Sequence, residues 1–160
     1  MARVHRWMEE GGDGLRDPFL LGVRLLWGGQ FALTGFGKLT HLADATAYFA
    51  SLGIPAPAQQ AVLAGATELA GGTLLMAGLA SRFAALPLAI TMIVALGTAH
   101  RGAVLGFASD PEAALTALPA TFLLAALTVL FVGAGRWSVD YWLSSTERAL
   151  PVRARGEVRS

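Results

Sequence analysis

The segment that decides the fold is Ala61–Leu79, AVLAGATELAGGTLLMAGL, in which apolar and small residues surround a single acid, Glu68. At about 1.5 Å per residue, a helix of this length crosses the hydrocarbon core of a bilayer, which is about 30 Å thick. A carboxylate at that depth is costly unless it faces a polar partner or a cavity. The sequence therefore predicts a membrane-spanning helix with a functional carboxylate near its middle.

The rest of the chain repeats this apolar pattern. Hydrophobic residues make up 54% of the sequence and charged residues only 14%, whereas soluble domains carry about 25% charged residues. Several long segments hold no Asp, Glu, Lys or Arg: Leu25–Gly37, Ala45–Thr67, Leu69–Ser81, Phe83–Ala99 and Ala113–Gly135. This pattern predicts an all-α membrane four-helix bundle with spans at about 18–37, 60–79, 83–100 and 113–132.

The spans define one membrane domain, residues 18–142, between two polar ends. Residues 1–17 form a polar N-terminal segment, and residues 143–160 form a basic C-terminal tail. Acidic residues precede the first apolar segment, so we expect that segment to remain as a helix and not to be cleaved as a signal peptide. Helical spacing of apolar residues over about 44–52 predicts a short helix lying at the membrane interface.

The distribution of basic residues predicts the orientation. With four spans, both termini and the turn at 80–82 lie on one side of the membrane, and most Lys and Arg residues belong to that side. The opposite side carries only Lys38 and Arg101. The positive-inside rule then places both termini of this multi-pass protein in the cytoplasm.

Several functional classes are disfavoured by composition. The chain has no cysteine, which excludes disulfide, thiolate and iron–sulfur chemistry within it. A net charge of +1 gives no reason to expect nucleic-acid binding. Of the three histidines only His100 touches a predicted span, so we expect no bound metal, no haem and no other intrinsic cofactor.

Depth along the spans predicts an outer polar cluster. Gln30 lies roughly 18 Å from the inner boundary of span one, and Glu68 lies roughly 12 Å from the outer boundary of span two. These depths coincide in a core of about 30 Å, so the two side chains can meet if spans one and two are neighbours. Lys38 and His100 end their spans on the outer side. We expect Gln30, Lys38 and His100 to bind a ligand beside Glu68, the candidate catalytic group. The alternative is that these polar residues only lock the helices together.

A second polar cluster is predicted at the inner end. Arg24, Arg82 and Asp140 all fall near that boundary. We interpret them as a structural ion network that fixes the ends of the helices, with binding of a lipid headgroup or substrate as the alternative.

The order and spacing of these residues resemble the DoxX family of small four-helix bacterial membrane proteins over about residues 18–142. The motifs that carry the resemblance are R-x5-Q-x4-G-x2-K (Arg24, Gln30, Gly35, Lys38), Gly53-x-Pro55, Glu68-x2-Gly71-Gly72, Gly78-Leu79, Arg82, His100 and Gly133-x-Gly135-x2-Ser138-x-Asp140.

The resemblance implies association with redox processes, because the family includes relatives of a thiosulfate:quinone oxidoreductase subunit and a component of a membrane oxidoreductase complex. It suggests a quinone or another small molecule as the ligand of an outward-facing pocket around Glu68. It equally allows a non-catalytic accessory subunit, held by a protein partner in a membrane complex or as a homo-oligomer in the bilayer. Whether the chain is an enzyme stays open at this point.

Overall fold

A computed structural model describes the backbone of residues 2–149 and the side chains of residues 15–113 and 115–146. The described chain is entirely helical, which confirms the all-α prediction for this part of the protein. Its helices are α1 (Ala2–Thr40), α2 (Leu42–Ser51), α3 (Pro57–Ala77), α4 (Ser81–Thr98), α5 (Arg101–Leu105), α6 (Pro111–Leu115), α7 (Leu118–Val132) and α8 (Val139–Ala149). Most of the predicted basic tail, from residue 150 onward, lies outside the described residues.

The four long helices pack side by side. α1 contacts α3 and α7, and α4 contacts the same two helices from the other side, so the four enclose a common core. Phe31, Leu75, Leu88 and Val129, one from each helix, are fully buried in that core. The ring of Phe31 meets the ring of Phe122 edge-on, with 4.7 Å between centroids, which is a favourable aromatic geometry.

Small residues bring α1 and α3 into close contact. A Cβ atom added to Gly72 would lie 2.6 Å from the carbonyl oxygen of Gly28, and one added to Gly65 would lie 3.3 Å from that of Gly35. Only hydrogen atoms fit between these backbones. Helices in a bilayer associate through such close van der Waals packing, because lipid offers no hydrophobic drive between them. The glycines of α1 and α3 therefore fix the pair that carries Lys38 and Glu68.

Two helix boundaries differ from the sequence-based prediction, and proline is involved in both. α1 begins at Ala2 and not at Pro18, which lies inside it; a proline within a helix costs a hydrogen bond but does not always end the helix. The fourth long helix begins at Leu118, with Pro119 in its first turn, where the missing N–H is tolerated. The Asp110 side chain caps a separate short helix, α6, by accepting a hydrogen bond from the N–H of Ala113 at 3.1 Å.

Within the described residues, two helices are long and apolar enough to cross a membrane, Leu15–Thr40 of α1 and Ser81–Thr98 of α4. α7 is apolar but has only 15 residues. α3 has 21 residues, but its glycines, threonines and Glu68 lower its mean hydropathy. Large apolar side chains such as Phe83, 84% exposed, and Phe131, 74% exposed, cover the outside of the packed helices, as expected where lipid is the solvent.

Candidate functional site

A cavity of about 400 Å³ lies between the C-terminal half of α1, the N-terminal halves of α3 and α7, and the C-terminal half of α4. α2 covers one side of it. The walls are mainly apolar, with Leu63, Met92 and Phe122 as examples, and a few polar groups converge among them. Cavities of this size and character are typical of small-molecule sites.

Lys38 and Glu68 form an ion pair at the wall of this cavity, in which the ammonium group of Lys38 donates a hydrogen bond to Glu68 Oε2. The side chain of Glu68 is 2% exposed and that of Lys38 is 28% exposed. The carboxylate of Glu68 is therefore enclosed by protein, whereas part of the Lys38 side chain is accessible from outside. A buried charge needs such a partner, because removing it from water costs several kcal/mol.

His100 lines the same cavity at the end of α4, and it is partly exposed. Threonine hydroxyls add further polar atoms to the walls: the Thr34 hydroxyl donates to the Phe31 carbonyl at 3.0 Å, and the Thr91 hydroxyl donates to the Pro87 carbonyl at 2.9 Å. With their hydrogens engaged by their own helices, these hydroxyls offer acceptor oxygens to the cavity. Donors come from Lys38, from the Gln60 amide, from the Tyr48 hydroxyl and from the His100 ring.

Gln30 does not join this cluster. Its side chain is exposed on α1, and it is not part of the cavity wall. The predicted contact with Glu68 is therefore wrong, although the depths were matched. At about 100° per residue, Gln30 is turned roughly 140° around α1 from Gly35, and Gly35 is the residue that faces α3. Depth alone does not specify which way a side chain points.

The structure also brings residues to the cavity that the sequence analysis did not select. Tyr48, Phe49 and Leu52 of α2 form part of its wall, so the helix predicted only as interfacial also covers the candidate site. A sequence signal existed for Thr34, which precedes Lys38 by four residues and so shares its helix face. No comparable signal linked α2 to Glu68, because the two are distant in sequence.

Arg24 occupies the opposite end of the core and is only 1% exposed. Its guanidinium donates to the carbonyls of Leu75 at 3.0 Å and Met76 at 3.1 Å in the last turn of α3. It also donates to the carbonyls of Ala134 at 2.7 Å and Trp137 at 2.9 Å in the loop after α7. A cation at a helix C-terminus interacts favourably with the helix dipole and satisfies carbonyls that lack helical partners.

The predicted ion network of Arg24, Arg82 and Asp140 is corrected by this geometry. The three residues do lie at the same end, but within the described residues no ion pair joins them. Asp140 accepts hydrogen bonds from the N–H groups of Ala80 at 2.7 Å and Ser81 at 2.9 Å, at the start of α4. Arg82 donates a long bond of 3.4 Å to a carbonyl of α7. Backbone groups at helix ends outcompete the side-chain partners because they are unsatisfied and closer.

No group of three metal-ligating side chains occurs in the part of the chain that was searched, residues 2–149 apart from those with undescribed side chains. The arrangement instead provides one enclosed carboxylate, one lysine with spare donors, one imidazole and several hydroxyl acceptors around an apolar space. Such a set can hold an uncharged or anionic polar head while the walls hold an apolar body.

These features define an all-helical membrane protein with a charged pair enclosed beside an apolar cavity. The chain belongs to the DoxX family, whose sequence pattern matches residues 19–101. The uncharacterized membrane protein Rv3486 of Mycobacterium tuberculosis is 35% identical over 145 residues, which cover 85% of this chain and 88% of that protein. The family predicted from the sequence motifs is thus confirmed. No solved structure shows a significant match.

Proposed function

We propose that this protein is a four-span protein of a bacterial inner membrane, with both termini in the cytoplasm, and that it binds a quinone-like small molecule in the outward-facing cavity around Glu68. The observation that carries the proposal is that Lys38, Glu68 and His100 line one cavity of about 400 Å³. The polar groups lie where an oxygen-bearing head could meet them, and the remaining wall suits an apolar ring or chain.

Lys38 is the group best suited to touch the ligand. Its ammonium group has three hydrogen-bond donors, and one of them is engaged with Glu68. Because the lysine side chain is partly exposed, a second donor can reach a carbonyl oxygen in the cavity. Glu68 then holds the lysine in place and, as a carboxylate, can exchange a proton with the ligand or with Lys38.

The charged pair favours ligand binding over a purely structural role on energetic grounds. An ion pair enclosed in the apolar part of a protein is often replaceable by apolar residues without loss of stability. A membrane domain that needed only packing between α1 and α3 already has it in the glycine contacts. Charges in the hydrocarbon region are costly and generally mark functional positions.

A redox role would require a second protein. Reduction of a quinone to a hydroquinone takes up two electrons and two protons. The protons can pass through Glu68 and Lys38, whereas the electrons must come from a partner that carries a redox cofactor. The proposal is therefore a quinone-binding membrane subunit that acts with an electron-donating partner, and it predicts co-purification of that partner.

Ligand binding can be tested with the purified protein in mild detergent. Solvent extraction followed by mass spectrometry should recover a quinone or a related isoprenoid from the wild type. A short-chain quinone analogue should quench the tryptophan fluorescence of the wild type saturably. The dissociation constant from this titration should be at least tenfold higher for Glu68→Gln. The matched control is Gln30→Ala, which removes a polar side chain near the same depth but outside the cavity, and it should bind like the wild type.

The alternative function, a non-catalytic accessory subunit, gives a different result in the same experiment. It predicts that no analogue binds, that Glu68→Gln lowers only the yield of folded protein, and that a partner protein still co-purifies with the folded variant. Equal binding by the wild type and by Glu68→Gln would also overturn the proposed site.

A further inference from the structure

A second cavity, of about 440 Å³, lies at the opposite end of the packed helices from the first. Its wall consists of Arg16 and Asp17 within α1, the end of α7 with the loop that follows it, and the first turn of α8. The lining residues are Arg16, Asp17, Val132, Gly133, Ala134, Gly135, Arg136 and Tyr141. None of these residues belongs to the candidate site around Glu68. From their chemistry we propose that this cavity binds the phosphate headgroup of an anionic phospholipid.

Among the residues whose side chains are described, the Arg16 guanidinium makes one hydrogen bond, and the Arg136 guanidinium makes only a 4.0 Å contact with Asp17 and a contact with the Tyr141 ring. Arg16 donates one Nη2 hydrogen bond, of 3.1 Å, to the carbonyl of Val132, the last residue of α7. Arg136 is anchored mainly through its backbone, whose N–H donates to Asp17 Oδ1 at 2.9 Å. Its side chain is 72% exposed. A guanidinium has five N–H donors in a planar fork that matches phosphate oxygens.

The charge of the cavity favours an anion. Arg16 and Arg136 contribute two positive charges, and Asp17 contributes one negative charge. The carboxylate is partly neutralised by the backbone N–H of Arg136 and by its guanidinium Nε, 4.0 Å from Asp17 Oδ2. The Arg136 guanidinium also lies 5.8 Å from the centre of the Tyr141 ring, which orients it, and the Tyr141 hydroxyl adds a donor. One net positive charge remains for the ligand.

The backbone conformation of Gly135 brings the loop after α7 close to α1. Gly135 has a φ of +77°, a left-handed conformation that side chains disfavour. A Cβ atom there would lie 3.2 Å from Asp17 Oδ1 and 3.3 Å from Leu20. The glycine therefore lets the loop approach α1 closely enough for Asp17 to hold the Arg136 backbone. This places both guanidinium groups on the rim of one cavity.

The position in the membrane favours a lipid over a free phosphate ion. Arg16 and Asp17 directly precede the apolar run that begins at Pro18, and basic residues that flank a membrane-spanning segment lie near the lipid headgroups. Trp137, 59% exposed, and Trp142, 67% exposed, lie in the adjoining loop and α8, and aromatic residues of this kind favour the same depth. Toward the hydrocarbon region, Phe19 is 63% exposed next to the cavity wall and can contact acyl chains.

The test is a lipid titration of the full-length protein in a neutral detergent, followed by native mass spectrometry. Short-chain phosphatidylglycerol should bind about tenfold more tightly than phosphatidylcholine of the same chain length, because the cavity carries one net positive charge and phosphatidylglycerol one more negative charge; tenfold corresponds to about 1.4 kcal/mol. This preference should disappear in the double variant Arg16→Gln/Arg136→Gln. It should persist in Arg101→Gln, which removes an exposed arginine at the other end of the molecule.

Three results would overturn the proposal: no preference for the anionic lipid in the wild type, a preference that survives the double substitution, or equal loss of preference in Arg101→Gln. Inorganic phosphate serves as the second probe. If millimolar phosphate displaces the lipid completely, the site binds a free anion and not a lipid. Should the double variant fold poorly, Arg136→Gln alone is used, because it leaves the backbone bond to Asp17 intact. In Arg136→Gln, the difference in binding free energy between phosphatidylglycerol and phosphatidylcholine should fall to half of the wild-type value or less.

Discussion

The ion pair between Lys38 and Glu68 leads to an asymmetric prediction about stability. In Lys38→Met, a carboxylate that is 2% exposed loses the one charged partner it has among the described residues. Removing one member of a buried pair costs about 3–5 kcal/mol, and we expect the lower value, about 3 kcal/mol, because the lysine itself is partly exposed. In Glu68→Met, the orphaned lysine can extend toward the opening and water, so we expect a loss of only about 1 kcal/mol.

The double variant Lys38→Met/Glu68→Met should be nearly as stable as the better single variant. Both charges are then absent and two unbranched apolar side chains fill similar volumes, so the loss should be about 1 kcal/mol and not the sum of about 4 kcal/mol. The coupling energy between the two positions is then about 3 kcal/mol. The double variant should nevertheless bind the quinone analogue at least tenfold more weakly, since the polar head would lose the charged donor of Lys38.

The free energy of unfolding can be measured by titrating sodium dodecyl sulfate into mixed micelles and following helix content by circular dichroism. Two outcomes would refute the reasoning about the enclosed carboxylate. One is a larger loss for Glu68→Met than for Lys38→Met, which would mean that the lysine is the trapped charge. The other is a double variant whose loss equals the sum, which would mean that the two side chains do not interact in the folded protein.

Five further variants, two of which are controls, probe the packing of α1 against α3 and the contacts of Arg24 and Asp140 by the same titration. Gly72→Ala should lower the free energy of unfolding by about 1–3 kcal/mol, because its Cβ would meet the backbone of α1. Gly22 faces open space, so Gly22→Ala should raise the free energy of unfolding by up to about 1 kcal/mol by reducing the backbone entropy of the unfolded chain. Equal effects of the two substitutions would contradict close packing of α1 and α3. Arg24→Lys should lose about 3 kcal/mol or more, since an ammonium cannot reach all four carbonyls, while Arg82→Lys should change stability by less than about 1 kcal/mol. Asp140→Ala should cost about 1–2 kcal/mol by uncapping α4, and an unchanged stability would argue against the capping role.

Much of the candidate site could be predicted from composition and spacing. The apolar segments located the long helices, and the rise per residue put Lys38 and Glu68 on the outer side of the core. The motifs identified the family. Helix ends were less predictable, as Pro18 shows: a proline signals a start, but local geometry decides whether the helix continues through it.

The orientation of side chains around each helix was not accessible from depth. Gln30 and Lys38 lie on the same helix, yet only Lys38 faces Glu68, because the glycine contacts of α1 with α3 fix how α1 is rotated. The same limit applies to Arg24. Its position predicted charged partners, whereas the fold offers it four unsatisfied carbonyls from two chain segments far away in sequence.

The sequence by itself determined that this chain is a helical membrane protein with one acid in its second long apolar segment, since hydropathy and helical rise are local properties. Only the tertiary structure decided which polar groups meet that acid, that α2 covers the resulting cavity, and that Arg24 and Arg82 donate to backbone carbonyls. These outcomes depend on helix rotation and on contacts between distant segments. They are set by the shapes of the packed surfaces and not by any local pattern of residues.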